Sequence, residues 1–253
     1  MNQTTRQKKI IDLISEAGEG SIQDFANQFK VSEMTIRRDL DQLALQGLLI
    51  RTHGGATLAG QVSFEFSFLH RKKQNQPEKE AIARRAAELV EDGQSVMLDS
   101  GTTTLAVARA LRCKKGLTII TSSLPIASEL QYHPDTRVLL LGGFLRKDAP
   151  DLEGPITESN LEQLRADIAF LGSDGIDRKG HTYNASLSVG RMLTKMAASA
   201  NHVYAIADST KLGRTALSRY GNIAKWNGLI TGRSSDKSLL AALRRNGVTI
   251  ITA

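Results

Sequence analysis

The chain has 253 residues, enough for a small domain beside a medium one. Its 41% apolar content, mixed with charges of both signs, describes a globular chain, and no run nears the roughly 18 uninterrupted apolar residues of a membrane-spanning helix. The N-terminal residues lack the apolar core of a secretory signal and Cys113 has no cysteine to pair with, so the expectation is a cytoplasmic protein with no membrane partner. The formal charge of +7 carries little argument, because residues 1–60 hold seven Lys/Arg and seven Asp/Glu and the excess lies in residues 61–253.

In chain order, Ile10, Ile11, Leu13 and Ile14 predict an amphipathic helix stopped by Gly18 and Gly20. Ser21, with Asp24 in the first turn, predicts the start of a short helix running through Phe29. Lys30-Val31 make a tight turn, and Ser32 caps a third helix that runs to about Leu45 and ends at Gly47. Two short helices, a tight turn and a third helix form a helix-turn-helix pattern. On the third helix Ile36, Leu40 and Leu43 share one face, which turns Met34, Arg38 and Asp41 outward and leaves Thr35 and Arg37 on the flanks.

The N-terminal half of such a helix enters the major groove of double-stranded DNA. Arg38 is expected to read a base edge and Arg37 a phosphate, with Met34 and Thr35 beside them. Asp39 lies toward the core side, where an internal ion pair or hydrogen bond suits it. The segment Leu48–Ala56 then offers a short aliphatic strand and a His-Gly-Gly turn, the makings of a wing that brings Arg51 and His53 to the backbone or minor groove. The expected unit, residues 1–57, is an all-α winged helix-turn-helix; the plainer alternative is a three-helix bundle with an exposed hairpin.

Residues 58–76 read as a polar connector with Phe64, Phe66 and Phe68, and the run Arg71-Lys72-Lys73 reads as solvated surface. Pro77, followed by Glu78 and Glu80, predicts a helix to about Val90. Beyond residue 95, apolar runs at Ser95–Asp99, Leu117–Thr121, Arg137–Leu141, Asp167–Leu171, Val203–Ala207, Gly228–Thr231 and Val248–Thr252 alternate with helical stretches. That rhythm predicts an α/β domain over residues 77–253, with a largely parallel sheet and a site at the carboxyl ends of its strands.

Those ends are chemically uniform. Asp99 is followed by Ser100, Gly101, Thr102, Thr103 and Thr104, a turn entering a helix whose amides and hydroxyls suit an anion such as phosphate. Ser122 and Ser123 follow the second strand, and Gly142 and Gly143 follow the third, with Arg146 just beyond. Gly172-Ser-Asp-Gly-Ile-Asp177 follows the fourth, and Asp208-Ser-Thr-Lys211 the fifth.

The run Thr35-Ile-Arg-Arg-Asp-Leu40, with the Arg51-Thr-His-Gly-Gly-Ala56 turn, resembles the signature of the DeoR family of bacterial regulators. Asp99-Ser-Gly-Thr-Thr, Gly142-Gly, Asp174-Gly-Ile-Asp177 and Asp208-Ser-Thr-Lys-Leu-Gly213 are similar to its sensor domain. The resemblance implies a fold similar to ribose-5-phosphate isomerase and an effector that is a phosphorylated sugar or sugar derivative. It places phosphate on the Gly101–Thr104 loop, hydroxyls on Asp99 and Asp174 beside Gly175, and complementary charge on Arg146, Arg191 and Lys211. It further implies a repressor of a carbohydrate-metabolism operon that acts as a homodimer or homotetramer on operator DNA. One departure stands out: members often carry an acidic residue shortly before the position of Arg191, where this chain has Ala185-Ser-Leu-Ser-Val-Gly190.

The rival reading is a sugar-phosphate isomerase with an accessory DNA-binding domain. Isomerisation needs a carboxylate placed to move a proton beside a carbonyl, and the segment between Asp177 and Asp208 contains neither Asp nor Glu. His181 is a lone loop histidine there. The expectation is no catalytic residue, no metal and no cofactor. A DNA-binding architectural protein without effector is the third reading, and it leaves the strand-end residues unexplained.

Overall fold

The computed structural model describes residues 2–52, 54–58, 68, 71–147, 149–233 and 235–253. His53, Phe64 and Phe66 lie outside the described residues, as does most of the expected connector. The chain forms two compact units, residues 1–74 grouped with 147–149, and residues 75–146 with 150–253. No helix among the described residues is long and apolar enough to cross a membrane.

The N-terminal unit holds α1 (Gln3–Ala17), α2 (Ile22–Phe29) and α3 (Glu33–Leu45). Each boundary has a local cause. The side chains of Asn2, Ser21 and Ser32 accept from the amides of Thr5, Asp24 and Thr35, which caps the three N-termini. Lys30 closes α2 in a left-handed conformation, φ 53°, and so makes the tight turn into α3. Ile10, Ile14, Phe25, Ile36, Leu40, Leu43 and Leu49 form the core between these elements.

The unit is not purely helical. Strands β1 (Glu19–Ser21), β2 (Leu49–Arg51) and β3 (Gly55–Leu58) form an antiparallel sheet in the order β1-β3-β2. The wing hairpin is β2–β3, as its sequence suggests, but β1 adds a third strand where Gly18 and Gly20 predict only a helix stop. Glu19-Gly-Ser has no strand propensity of its own; its pairing partners, Thr57, Ala56 and Gly55, supply the conformation. Gly55 permits the approach, since a Cβ there would lie 2.0 Å from the Gly20 carbonyl oxygen.

Asp39 ties α3 to α1. Its carboxylate is fully buried and accepts from Arg6 Nε at 2.5 Å, Gln3 Nε2 at 3.2 Å and Gln7 Nε2 at 3.3 Å.

In the C-terminal unit, α4 (Gln76–Ala87) precedes β4 (Ser95–Leu98), and α5 (Thr102–Ala110), β5 (Leu117–Thr121), α6 (Leu124–Leu130) and β6 (Thr136–Leu140) follow. After the short β7 (Phe144–Leu145) and β8 (Leu152–Glu153) come α7 (Pro155–Glu162), β9 (Ala166–Gly172), β10 (Gly175–Ile176), β11 (His181–Asn184) and α8 (Leu187–Ala198). The chain ends with β12 (Ala200–Ala207), β13 (Ser218–Asn222), β14 (Gly228–Thr231), α9 (Lys237–Arg245) and β15 (Ile250–Thr252).

The main sheet has seven strands in the order β15-β14-β12-β9-β4-β5-β6, and every pairing along it is parallel. Both of its faces are covered. Met97 belongs to a core with Ala169, Leu171, Val189, Met192 and Met196, while its neighbours Val96 and Leu98, pointing the other way, are equally buried.

The order places β4 at a switch point. The chain builds outward from β4 through β5 to β6, then returns to the other side of β4 and builds outward from β9 to β15. The connections therefore leave β4 and β9 in opposite directions, and open α/β sheets bind ligands in the crevice this leaves beyond the strands' carboxyl ends.

A smaller antiparallel sheet, β10-β11-β13, and the β7–β8 pair go beyond the sequence expectation. Polar strands such as His181-Thr-Tyr-Asn184 carry no aliphatic run to mark them. Their definition comes from docking: Tyr220 of β13 joins the core around α8, and a Cβ on Gly190 would fall 2.1 Å from Ser218 Oγ.

Removing the Asp39 carboxylate strands a buried guanidinium, so Asp39→Ala should destabilise the N-terminal unit by about 3–5 kcal/mol. Native-state hydrogen exchange of the Leu40 and Leu43 amides in the whole chain would measure it; unchanged exchange would show that the pair contributes nothing.

Candidate functional site

On α3, Ile36, Leu40 and Leu43 are buried, and Met34, Arg37 and Arg38 are exposed. Arg38 has no ion-pair partner among the described residues. Arg37 stands 3.6 Å from Glu33, an exposed pair one helical turn apart and easily exchanged for another anion. The half-exposed Thr35 is drawn toward the cap, its hydroxyl 2.9 Å from that of Ser32. Arg51 is engaged inside the unit: it pairs with Asp41 at 3.1 Å and donates to the Gly55 carbonyl at 3.2 Å. That arrangement braces the wing against α3.

The strand-end residues of the second unit fall into two groups. The first is assembled around Asp99, which leaves β4 at the switch point. Its Oδ2 accepts from the backbone N–H of Gly172, at the end of β9, at 2.9 Å, and this bond spans the two strands where the crevice opens. Gly101 begins α5 without a side-chain cap, so the first-turn amides are left for another acceptor. Thr102 and Thr103 are half exposed there. Thr104 is fully buried, and its hydroxyl, 3.0 Å from the Gly101 carbonyl, has both that oxygen and the Asp99 carboxyl as acceptors within reach.

Beneath this loop, the Ser100 hydroxyl donates to the fully buried Asp151. Arg146 Nε lies 3.5 Å from Asp151 and 3.9 Å from Glu153, and Glu153 in turn accepts from the Ser188 hydroxyl. The end of β5 joins the same layer. The Ser122 carbonyl accepts from the Leu152 amide at 3.0 Å, and Ser123 bridges to Asp151 while its hydroxyl caps α6. Ser122 Oγ is buried with no hydrogen-bond partner among the described residues. Asp151 and Glu153 escape the sequence reading because Asp151-Leu-Glu-Gly154 has neither strand nor helix period. Glu153 also brings a carboxylate to Ser188, within the Ala185–Gly190 segment that has none of its own.

The residues of the second group lie outside this cluster, and several of them serve the scaffold. Gly142 donates to Asn160 Oδ1 at 3.1 Å and accepts from the Thr157 hydroxyl at 2.6 Å, while a Cβ on Gly143 would meet Thr157 Oγ1 at 2.1 Å. Close packing on α7 accounts for Gly143, whereas Gly142 meets α7 through its backbone hydrogen bonds and leaves ordinary room for a Cβ. Gly175 is pressed against the Arg214 carbonyl, and Asp174 accepts from the Ala185 amide at 3.0 Å. Asp177 organises the β10–β11 turn, accepting from the amides of Lys179 and His181, the Tyr183 hydroxyl and the His181 ring. Arg191 is 70% exposed on α8, 3.6 Å from Glu158, and is not drawn into the Asp99 group. Lys211 is half buried in the single helical turn after β12.

Burial pushes the Asp99 carboxyl up to about 7 from its ordinary 3.8. The Gly172 amide and Thr104 hydroxyl oppose the rise, while the negative charges of Asp151 and Asp174 add to it.

Two family models divide the chain between them. One, described as the DeoR-like helix-turn-helix domain, matches residues 6–62, and the other, the DeoR C terminal sensor domain, matches residues 74–233. The chain belongs to the DeoR family of transcriptional regulators. Among its relatives, the "Glycerol-3-phosphate regulon repressor" of Escherichia coli (strain K12) is 35% identical over 243 residues, 96% of each chain. The "HTH-type transcriptional repressor GlcR" of Bacillus subtilis (strain 168) is 34% identical over 251 residues, 99% of this chain and 96% of that one. Ribose 5-phosphate isomerase A of Methanocaldococcus jannaschii is among the similar solved structures, 18% identical with a TM-score of 0.41 over 55% of each chain.

In this DeoR-family regulator the sensor match takes in every strand-end residue named above, from Asp99 to Lys211, and leaves α9 and β15 outside. The helix-turn-helix match takes in α3 and the whole β1-β3-β2 sheet.

The raised value of Asp99 predicts a pH effect of definite sign. In the unfolded chain the carboxyl ionises near pH 4, and in the fold only near pH 7, so stability from this group is full below about pH 4 and falls as the pH rises to about 7. Asp99→Asn should flatten that slope and leave the protein more stable above pH 7, by on the order of a few kcal/mol. Thermal unfolding from about pH 4.5 to 8 compares the two; parallel curves would refute the assignment.

Proposed function

We propose that this regulator is a repressor of a carbohydrate-metabolism operon, and that a phosphorylated sugar or sugar derivative releases it from its operator. The observation that carries the effector reading is the Asp99–Gly172 bond at the switch point, beside a helix start whose amides lack a side-chain cap. Phosphate sits on the Gly101–Thr103 loop with Lys211 as counter-charge, and the sugar hydroxyls meet Asp99 and the Arg146 layer. Relatives that bear the name repressor, one of them of a glycerol-3-phosphate regulon, support the same reading.

On the DNA side, Arg38 reads a base edge and Arg37 exchanges Glu33 for a phosphate, with Met34 and Thr35 lining the groove. Arg51 acts by holding the wing, and His53 is assigned a contact with the DNA backbone. One winged helix buries too little surface for tight specific binding, so a homodimer or homotetramer spans paired half-sites. Residues 1–57 bind DNA, residues 58–76 link, and residues 77–253 sense effector and assemble, in the cytoplasm where the operator is.

The isomerase reading draws support from one observation, a carboxyl with a pKa near 7 at a strand end. Against it, Asp99 is only 6% exposed and hydrogen-bonded to Gly172, and His181 is engaged by Asp177. Ribose 5-phosphate turnover by the purified protein, lost in Asp99→Asn, would favour the enzyme; its absence favours a regulator without catalysis.

The two roles should separate by mutation. Arg38→Ala should weaken operator binding by about 10–100-fold while leaving the thermal shift with sugar phosphates unchanged. Thr103→Val combined with Lys211→Ala should bind operator normally yet ignore effector. If each variant loses both activities, this division of labour is wrong.

A further inference from the structure

Two side chains at the start of α4 do something other than cap their helix. Asn75 occupies the N-cap position with φ 49° and ψ 33°, a left-handed backbone uncommon for a residue with a side chain. It makes no side-chain cap hydrogen bond, and its carboxamide donates instead to Asp208 Oδ1 at 3.2 Å. Glu78 holds the third helical position, where a glutamate ordinarily reaches back to the N-cap amide. Here it accepts from the Ser209 backbone N–H at 2.8 Å and from the Ser209 hydroxyl at 2.9 Å. The seat is close: a Cβ on Gly232, just past β14, would lie 2.0 Å from Glu78 Oε1.

Both side chains thus grip one short turn, the Asp208–Lys211 turn at the end of β12. Asp208 is buried, and the oxygen that receives Asn75 also accepts from the Thr210 amide and hydroxyl. One carboxylate oxygen therefore both shapes the turn that presents Lys211 and holds the residue where the chain enters from position 74.

We propose that Asn75 and Glu78 are positioning residues that carry effector occupancy at the Asp208–Lys211 turn to the chain preceding residue 75, and so set operator affinity. The proposal rests on the reading of Lys211 as an effector-binding group. An anion closing on Lys211 shifts the turn, and Asp208 and Ser209 move with it. Once its bond to Asp208 is lost, Asn75 keeps only its backbone bond to the Lys79 amide among the described residues, and relaxation of its φ changes the path by which the chain enters α4. The relay requires a second arrangement of this element, with both sites biasing the choice between the two.

The test uses the full-length protein and a duplex from its own upstream region, with affinity measured alone and with millimolar inorganic phosphate, glycerol 3-phosphate or glucose 6-phosphate. Wild type should lose about tenfold or more in affinity with at least one sugar phosphate. Asn75→Gly and Glu78→Gln should bind the duplex alone within about threefold of wild type and keep the thermal shift with that compound, yet lose most of its effect on DNA binding. Glycine is at ease in the left-handed region, so Asn75→Gly should hold or raise Tm; a merely structural role for Asn75 would lower Tm and leave the coupling intact. Variants that respond as wild type does would overturn the relay alone. A wild type that responds to none of the compounds would overturn the relay and the effector reading together.

Discussion

The hydrogen bond from the Gly172 amide to Asp99 is the constraint on which the sensor site depends. It joins β4 and β9, the two neighbours in the sheet from which the chain departs in opposite directions. A crevice at that point follows from topology alone; what the bond adds is a fixed distance between its two walls. The same carboxyl is buried among other acids, so its charge is opposed by burial and by Asp151 and Asp174. The site therefore keeps a carboxyl near its neutral form beside a helix start suited to an anion, which lowers the repulsion a bound phosphate would meet.

The buried carboxylates are held in two ways. Asp39 is matched by Arg6 and two glutamine amides, and fixes the angle of α3 against α1. Rotation of α3 about its axis would change the face it presents, because a turn of about 100° would bring Arg37 or the buried Asp39 to the place of Arg38. Asp151 likewise has Arg146 and the Ser100 hydroxyl. Asp99 and Asp208 have no cation on them among the described residues and are held by neutral donors instead, the Gly172 amide for one and Asn75 and Thr210 for the other.

Arginine position, more than arginine number, separates binding from bracing. Arg38 stands free on the outer face of α3 among the described residues, whereas Arg6, Arg51 and Arg146 are held by Asp39, Asp41 and Asp151. Of the seven basic residues among the first sixty, Arg6 and Arg51 are paired inside the unit, so the balance of charges there does not report how many face outward. A count of charges could not distinguish these roles, because they depend on which acid each guanidinium meets in three dimensions.

The sequence alone determined the helices of the N-terminal unit, the wing hairpin, the parallel sheet and the hydroxyl-rich turn after β4. Each is written in short-range pattern: the spacing of Ile36, Leu40 and Leu43, the caps Ser21 and Ser32, the apolar runs of β4, β5, β9 and β12. Only the tertiary structure decided the rest. Strand β1 and the β10-β11-β13 sheet take their conformation from partners far along the chain, and Asp151 and Glu153 enter the site from a stretch with no period. Gly142, Gly143 and Arg191 read as binding residues in one dimension; in three, Gly143 packs closely on Thr157 of α7, Gly142 bonds through its backbone to Asn160 and Thr157, and Arg191 stands 3.6 Å from Glu158. Periodicity reports which face of an element is apolar; which polar groups meet across the sheet's edge is set by strand order, which short-range pattern does not encode.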